Sequence, residues 1–195
     1  IEGMASHGIL ADAYNPEGGS AYLKANISEL EVRGCQGSGV VLSATSLFDE
    51  ADAEVLLLDC EITGNGGWAV RGGTDSEQCC GGADFLLRRC AIYGNGAGVE
   101  MFVDDWSANW VQLEDCLVHD NAGTGVSTMY LGLDGCTVTG NLGAGVTGTF
   151  QTSYIRNSII HNNGDDLAGF AGSLDYSLTN DPDAPAGVGN LTGDP

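Results

Sequence analysis

The 195-residue sequence predicts an all-β solenoid of about six to seven coils, in which each sequence repeat forms one coil. One phrase recurs along the chain, with a cysteine, an asparagine and a valine at similar spacings. Helices of about 10 to 14 residues do not fit between these positions, whereas short strands joined by Gly- and Asn-rich bends do. The 31 glycines are about twice the usual share, and we assign most of them to the bends.

The repeats are anchored on one cysteine position. Its members are Cys35, Cys60, Cys90, Cys116 and Cys136, followed by Ser158 in the last matched repeat. Successive anchors are separated by 25, 30, 26, 20 and 22 residues. A constant phrase with a variable period indicates strands at fixed positions joined by loops of variable length. We therefore expect the anchor residues to form one inward-facing ladder along the stack.

Apolar and asparagine positions repeat around each anchor. Three residues before it stand Val32, Leu57, Leu87, Leu113, Leu133 and Ile155, and two residues after it stand Ile62, Ile92, Val118, Val138 and Ile160. Five residues after it stand Asn65, Asn95, Asn121, Asn141 and Asn163, and a valine follows at Val70, Val99, Val126 and Val146. In a stack these positions become apolar core ladders and an asparagine ladder that hydrogen-bonds along the axis.

The phrase C-x-[IV]-x-x-N followed by G-V resembles the repeat of the right-handed parallel β-helix proteins of the pectate lyase-like kind. The resemblance extends from about Leu30 to Ser173. It implies β-helix repeats at 30–173, an N-terminal segment with the first coil at 1–29, and an irregular segment or the start of a final coil at 174–195. The beginning without Met and the closing GNLTGDP lead us to expect a piece of a longer chain.

The ladder cysteines are expected to be reduced and buried. In-register stacking brings neighbouring Cα atoms within disulfide range but makes the required dihedral angle of about 90° awkward. A straight ladder also does not converge four ligands on a zinc ion. Cys79 and Cys80 lie apart from the ladder. For this pair the sequence leaves open a vicinal disulfide, a bond to another chain, or free thiols.

The charge of the chain is strongly acidic. There are 27 acidic residues against six Lys plus Arg, which gives a formal net charge of -21. We expect no nucleic-acid partner, because phosphate binding needs a basic surface and Lys24 is the only lysine. The charge fits a saline medium or bound cations. No apolar run approaches the roughly 18 residues of a transmembrane helix.

Charged residues just before the anchors alternate in sign from repeat to repeat. Asp59, Arg89 and Asp115 form one such series, and Arg88 and Glu114 form another. This alternation predicts exposed ion pairs between adjacent coils. By the resemblance, Arg88 or Arg89 would correspond to the base of a β-helix lyase, but their charged neighbours favour the structural role.

The two longest insertions follow consecutive repeats, at 71–84 and 100–110, and we expect them to be loops that stacking places side by side. They bring acidic and aromatic residues to one end of a lateral face: Asp75, Glu77, Asp104, Asp105, Trp106 and Trp110. This composition suits sugar stacking, or a ligand bridged by calcium at Asp104 and Asp105. The alternative is structural, with Trp110 starting a core strand and Trp106 folded onto its coil.

No catalytic residue is assigned, because the motifs NTD, DD, GHG and RIK of pectin-degrading hydrolases do not occur in order. We expect a non-catalytic structural or adhesive module of a secreted or surface-exposed bacterial protein, binding a polysaccharide or another surface protein, with calcium as the only candidate cofactor. One alternative is a polysaccharide lyase or glycoside hydrolase that uses Asp104 and Asp105 with Glu77 or Asp75. The other is a fibre or assembly subunit that stacks through its ends.

Overall fold

The computed structural model shows a solenoid of seven coils. It describes residues 1–16, 19–46, 50–76, 81–103, 107–148 and 151–193. Within these ranges the chain forms three parallel sheets of seven strands each, and every coil contributes one strand to each sheet. The predicted all-β solenoid of six to seven coils is thereby confirmed. The described ranges include no helix able to cross a membrane.

The three sheets run along the axis of the solenoid. The first contains β1 (Ile9–Asn15), β4 (Val40–Ser46), β7 (Trp68–Ser76), β10 (Ala97–Val103), β13 (Val126–Thr128), β16 (Ala144–Gly148) and β19 (Asp165–Leu167). The second contains β2 (Ala21–Ser28), β5 (Ala51–Leu58), β8 (Gly81–Arg88), β11 (Ser107–Glu114), β14 (Tyr130–Asp134), β17 (Tyr154–Arg156) and β20 (Ser173–Asp175). The third contains β3 (Glu31–Arg33), β6 (Glu61–Thr63), β9 (Ala91–Tyr93), β12 (Leu117–His119), β15 (Thr137–Thr139), β18 (Ile159–His161) and β21 (Leu178–Thr179).

Each of the first six coils bends sharply on both sides of its third-sheet strand, through residues in the left-handed backbone region. The bend after the strand is mostly glycine, as at Gly64 with φ of 65° and Gly94 with φ of 64°. The bend before it is mostly not glycine: Asp59, Arg89 and Asp115 all have φ of 52° to 53°. Glycine therefore marks one of the two bends, and charged side chains at the other project outward from a conformation that L-residues rarely adopt.

The apolar core is made of ladders that follow the strand register. Val70, Val99, Val126 and Val146 are paired in sequence across the first sheet and are fully buried. Ladders of the second and third sheets complete the interior, and they contain Leu57, Leu87, Leu113, Leu133 and Ile155 in one and Ile62, Ile92, Val118, Val138 and Ile160 in the other. The predicted core columns are confirmed at these positions.

The first repeat is displaced by five residues from the predicted alignment. Val32 pairs with Ile62, and the backbone N–H of Cys35 donates to the Oδ1 of Asn65. Cys35 therefore stands at the foot of the asparagine ladder, and Leu30 stands below Cys60, as the bond from the Glu61 N–H to the Leu30 carbonyl shows. The predicted cysteine ladder is wrong at its first member. The segment VRGCQG resembles the anchor phrase, but its cysteine lies five residues past the anchor position of its coil, after β3 and the bend that follows it.

The asparagine ladder is continuous through the stack. In each step the side-chain Oδ1 of one residue accepts hydrogen bonds from the backbone N–H and the Nδ2 of the residue one coil earlier. The Nδ2–Oδ1 distances are 2.9, 3.1, 2.9 and 2.8 Å along Asn65, Asn95, Asn121, Asn141 and Asn163. Every amide thus bonds a backbone N–H and a backbone carbonyl of the preceding coil as well as the side chain of a ladder neighbour.

The cysteine ladder consists of buried free thiols. In the part of the chain that the structure describes, Cys35, Cys60, Cys90, Cys116 and Cys136 are all free. The hydrogen bond to Cys116, together with burial, raises the pKa of Cys90 to about 11, and the hydrogen bond to Cys136, together with burial, raises the pKa of Cys116 to about 12. Cys60, Cys90, Cys116 and Cys136 are free ladder thiols, as predicted, and Cys35 is a free thiol outside the ladder, while Cys79 and Cys80 lie outside the described residues.

The two insertions are mostly strand. β7 continues to Ser76 and β8 starts at Gly81, while β10 continues to Val103 and β11 starts at Ser107. The prediction of loops at 71–84 and 100–110 is wrong over most of their length. Gly72 in β7 serves packing, because a Cβ there would lie 2.3 Å from the Cζ of the buried Phe85.

Candidate functional site

The outer face of the second sheet carries two parallel columns of side chains. Strand pairing places Lys24, Glu54, Asp84, Trp110 and Tyr130 in one column. The neighbouring column, two residues further along each strand, contains Asn26, Leu56, Leu86, Gln112, Gly132 and Tyr154. Both columns point outward because residues of one strand alternate between core and solvent.

Three aromatic rings form a cluster on this face. The Trp110 ring centroid lies 6.1 Å from that of Tyr130 and 6.2 Å from that of Tyr154. Tyr154 lies against Gly132, where an added Cβ would stand 2.7 Å from the ring Cζ. The guanidinium of Arg156 lies 5.1 Å from the Tyr154 ring centroid. The space left by the missing side chain of Gly132 and the contact with the Arg156 guanidinium thus hold the Tyr154 ring in the cluster.

A groove of about 350 Å³ opens beside the cluster. We call it the second-sheet groove, and its outward-facing lining residues are Asn26, Glu54, Leu56, Asp84, Leu86, Trp110 and Gln112. Its floor is apolar, and its polar groups are two carboxylates and two amides. An aromatic wall with a few convergent polar groups is the usual composition of a site for an amphipathic small molecule or chain.

The carboxylate of Glu54 is held by two neighbours. It accepts hydrogen bonds from the Nζ of Lys24 at 2.7 Å and from the Oη of Tyr22 at 3.0 Å. The bond from Lys24, followed by the bond from Tyr22, lowers the pKa of Glu54 below its ordinary value. Glu54 therefore stays ionised at neutral pH and is unsuited to be the general acid of a hydrolase, which needs a raised pKa.

A second depression, of about 440 Å³, lies on the same face beyond the aromatic cluster. Tyr154 separates it from the second-sheet groove, and Asp134, Arg156 and Asp175 line it. The Nδ2 of Asn157 donates to Asp134 at 2.8 Å and, with Arg156 as a further partner, lowers the pKa of Asp134. The outer face of the second sheet therefore continues as an uneven surface on both sides of the cluster.

All six basic side chains of the chain lie in the described ranges, and each pairs with a carboxylate. The pairs are Lys24–Glu54, Arg33–Glu2, Arg71–Glu100, Arg88–Glu114, Arg89–Asp59 and Arg156–Asp134. The predicted pairs of Arg88 and Arg89 are confirmed. The bidentate bond to Asp59, at 2.7 and 2.8 Å, raises the pKa of Arg89, which makes this residue a poorer base.

The structure describes two of the six predicted site residues. Trp110 lies in the second-sheet groove, partly exposed, so it is neither in a loop nor in the core. Asp75 is exposed near the end of β7 in the first sheet, on a different face from Trp110. Glu77, Asp104, Asp105 and Trp106 lie outside the described residues, so the calcium site at Asp104 and Asp105 stays a prediction.

The described residues contain no group of three or more His, Cys, Asp or Glu side chains that could hold a metal ion. Two histidines share the outward column of the third sheet. The His119 ring stacks on Tyr93 with centroids 4.9 Å apart, and its Nδ1 lies 2.8 Å from Asp120. The Nε2 of His161 lies 2.8 Å from the Nδ2 of Asn180. Both histidines are thus engaged by protein neighbours.

Sequence reasoning missed most of the groove, although a signal was present. Glu54, Asp84, Trp110 and Tyr130 each stand six residues before a cysteine of the ladder. Leu56, Leu86, Gln112, Gly132 and Tyr154 each stand four residues before a ladder cysteine or Ser158. Alternation with period two, counted back from the anchor, would have placed both columns on the outer face.

A comparison with family models identifies the class of protein. Residues 1–153 match the model described as a right-handed beta helix region. The match covers more than half of the chain, so the chain belongs to the right-handed β-helix family. This confirms the predicted fold and its hand. No curated protein and no solved structure matches the chain.

Proposed function

We propose that this chain is a non-catalytic β-helix module that binds a glycan along the outer face of its second sheet. The observation that carries the proposal is the cluster of Trp110, Tyr130 and Tyr154 beside a groove with carboxylate and amide groups. Sugar rings present apolar faces that pack on aromatic rings, and hydroxyl groups that hydrogen-bond to carboxylates and amides.

The shape of the face also supports a chain-like ligand. Seven strands at a spacing of about 4.8 Å give a face about 29 Å long parallel to the axis. The groove and the second depression lie on this face, one on each side of the aromatic cluster. An extended oligosaccharide could therefore contact the cluster at its centre and polar groups at both ends.

Two charge observations support binding without catalysis. Glu54, which stands beside Asp84 in the column, has a lowered pKa and cannot supply a proton at neutral pH. The arginines that a lyase would need as a base are engaged in ion pairs. We further propose that the module acts outside the cell or at its surface in an adhesive or structural role.

The test is a binding survey with oligosaccharides of about six units, followed by calorimetry on the ligands found. Trp110→Ala and Tyr154→Ala should each weaken binding at least about tenfold, as expected for aromatic hot spots. Trp68→Ala is the matched control, because Trp68 is a partly exposed tryptophan on β7 in the first sheet. Circular dichroism should show that all three variants keep the fold.

Two results would overturn the proposal. The first is a binding survey in which no glycan binds, or in which the Trp110 and Trp68 substitutions weaken binding equally. The second is the release of reducing ends or unsaturated products from a polysaccharide by the purified protein. Loss of that release in Asp104→Asn, with binding at the second sheet unchanged, would support the alternative of a lyase or hydrolase.

A further inference from the structure

We propose that the second-sheet groove selects a glycan carrying free ammonium groups, an amino-sugar polymer, and that one ammonium lies between the carboxylate of Asp84 and the ring of Trp110. This inference rests on the proposed glycan-binding function and adds the chemical class of the ligand. The distribution of charge over the described residues and the order of side chains within one column of the second sheet both support it.

The paired basic residues of the chain disfavour an anionic ligand. An acidic polysaccharide needs cationic side chains to neutralise its carboxylates or sulfates. Each of the six Lys and Arg side chains already pairs with a carboxylate of the protein. The chain has a net charge of -21, so an anionic ligand would meet repulsion over most of the surface. The same net negative charge would attract a cationic glycan.

The side chains of the groove follow a defined order of charges along one column. The column reads Lys24, Glu54, Asp84, Trp110 and Tyr130, with neighbours about one strand spacing of 4.8 Å apart. Lys24 neutralises Glu54. Asp84 is exposed, and its carboxylate forms no ion pair with any residue that the structure describes. The groove therefore retains one carboxylate without a basic partner.

An aromatic side chain is the next neighbour of that carboxylate in the column. Trp110 follows Asp84 in the column and is partly exposed at the groove. A carboxylate beside an aromatic face is the arrangement that binds ammonium groups, since the cation gains from the ion pair and from the π-system together. The apolar floor of Leu56 and Leu86 would pack against the ring of the sugar that carries the amine.

The experiment compares two hexasaccharides that differ only in acetylation. One is the fully deacetylated glucosamine hexamer and the other is its N-acetylated form, each titrated into the intact chain at low and moderate salt. The deacetylated form should bind at least about fivefold more tightly than the acetylated form. Asp84→Asn should bring this ratio close to one, whereas Asp84→Glu should restore part of it.

Non-specific attraction to an acidic protein is the main competing explanation. Asp165→Asn is the matched control, since Asp165 is an exposed aspartate on β19 in the first sheet and the substitution removes the same charge. It should leave the ratio of the two affinities unchanged. Hexalysine is the second control, because a cationic peptide has the charge of the glucosamine hexamer without its rings, and it should bind more weakly.

The outcomes separate this inference from the proposed function. If both hexamers bind with dependence on Trp110 but with equal affinity, the ammonium site is wrong and the glycan function stands. The ammonium site is also wrong if Asp84→Asn and Asp165→Asn lower the affinity ratio of the two hexamers equally. It is wrong as well if hexalysine binds as tightly as the deacetylated hexamer. If neither hexamer nor any other glycan binds, both proposals fail.

Discussion

Asp166 accepts hydrogen bonds from both the backbone N–H and the Nδ2 of Asn163, each at 3.0 Å. It thereby takes the place that the next asparagine would occupy in the ladder, although it stands only three residues away in the sequence. A carboxylate has no N–H to donate, so the ladder ends on a pure acceptor. The second oxygen of Asp166 accepts from the Thr179 hydroxyl at 3.4 Å.

The ladder should be weaker at its end than in its middle. Asn121→Ala would leave the backbone N–H of the buried Asn95 without an acceptor and would remove the Nδ2 that donates to the Ile92 carbonyl, and we expect a loss of about 3 kcal/mol in the free energy of unfolding. Asp166→Ala affects the partly exposed Asn163 and should cost about 1 to 2 kcal/mol. Urea denaturation of both variants, with Asp165→Ala as an exposed control, tests this. Equal losses for the first two would contradict the graded ladder.

Stability should fall at alkaline pH through the cysteine ladder. Folding raises the pKa of Cys90 to about 11 and that of Cys116 to about 12, whereas an unfolded thiol titrates near 8.5. At these two thiols the folded state therefore binds more protons above about pH 8.5, so their contribution to the free energy of unfolding decreases as pH rises from there towards 11 to 12. We expect the urea midpoint to be lower at pH 10.5 than at pH 8.

A serine variant supplies the control for that pH dependence. Serine already occupies the ladder at Ser158, whose Oγ accepts from the Cys136 N–H at 3.1 Å. Cys116→Ser should therefore fold and should reduce the fall in stability between pH 8 and 10.5. An unchanged pH dependence in this variant would show that other groups cause the alkaline loss.

Relief of backbone strain should stabilise the charged bends. Asp115 has φ of 53°, and the equivalent position one coil later is Gly135 with φ of 67°. Asp115→Gly removes the steric cost of the left-handed conformation, which exceeds the added entropy of the unfolded chain, so we expect a gain of up to about 1 kcal/mol. Asp115→Ala also removes the carboxylate but keeps the strain, and it should show no such gain in thermal or urea unfolding.

The aromatic cluster should open when Gly132 acquires a side chain. In Gly132→Ala the new Cβ would stand 2.7 Å from the Cζ and the Oη of Tyr154, and the ring must swing away from Trp110. Because the ring can move into solvent, the loss of stability should stay under about 1 kcal/mol. Near-ultraviolet circular dichroism should change, and glycan affinity should fall. In a Tyr154→Ala background the same substitution should have no further effect on either measurement.

The fold was predictable because its repeats are chemical as well as geometric. The buried asparagine amides stand at the same bend of successive coils, where they bond backbone groups and one another. Asn65, Asn95 and their successors therefore indicated which residues of successive coils are aligned. The predicted alignment of the first coil was wrong because Cys35 occupies the bend position that asparagine occupies in later coils. Cys35 is small and buried, and its backbone N–H donates to Asn65, but it has no side-chain amide. The glycine-rich segment near Gly72 was misread because the size of Phe85, and not a bend, excludes a side chain there.

The candidate site was less predictable for a physical reason. Trp110 and Asp84 have no special spacing within one repeat, and they meet only because successive strands pair in register. Tyr154 lies two coils after Trp110 and in the neighbouring column, so its ring contact depends on side-chain direction across Gly132. Contacts between different columns of a stack are set by rotamers and by available space, which the sequence pattern does not specify.

The coils shorten along the axis, and this gives the rod a direction. Equivalent positions are 30 residues apart in the first coils, then 26, 20 and 22, and 19 at the last step. β1 has seven residues, while β19 has three. A second copy added head to tail would meet a cross-section different from its own, leaving part of the wider edge without hydrogen-bond partners. The taper therefore disfavours repeated head-to-tail stacking of copies of this solenoid.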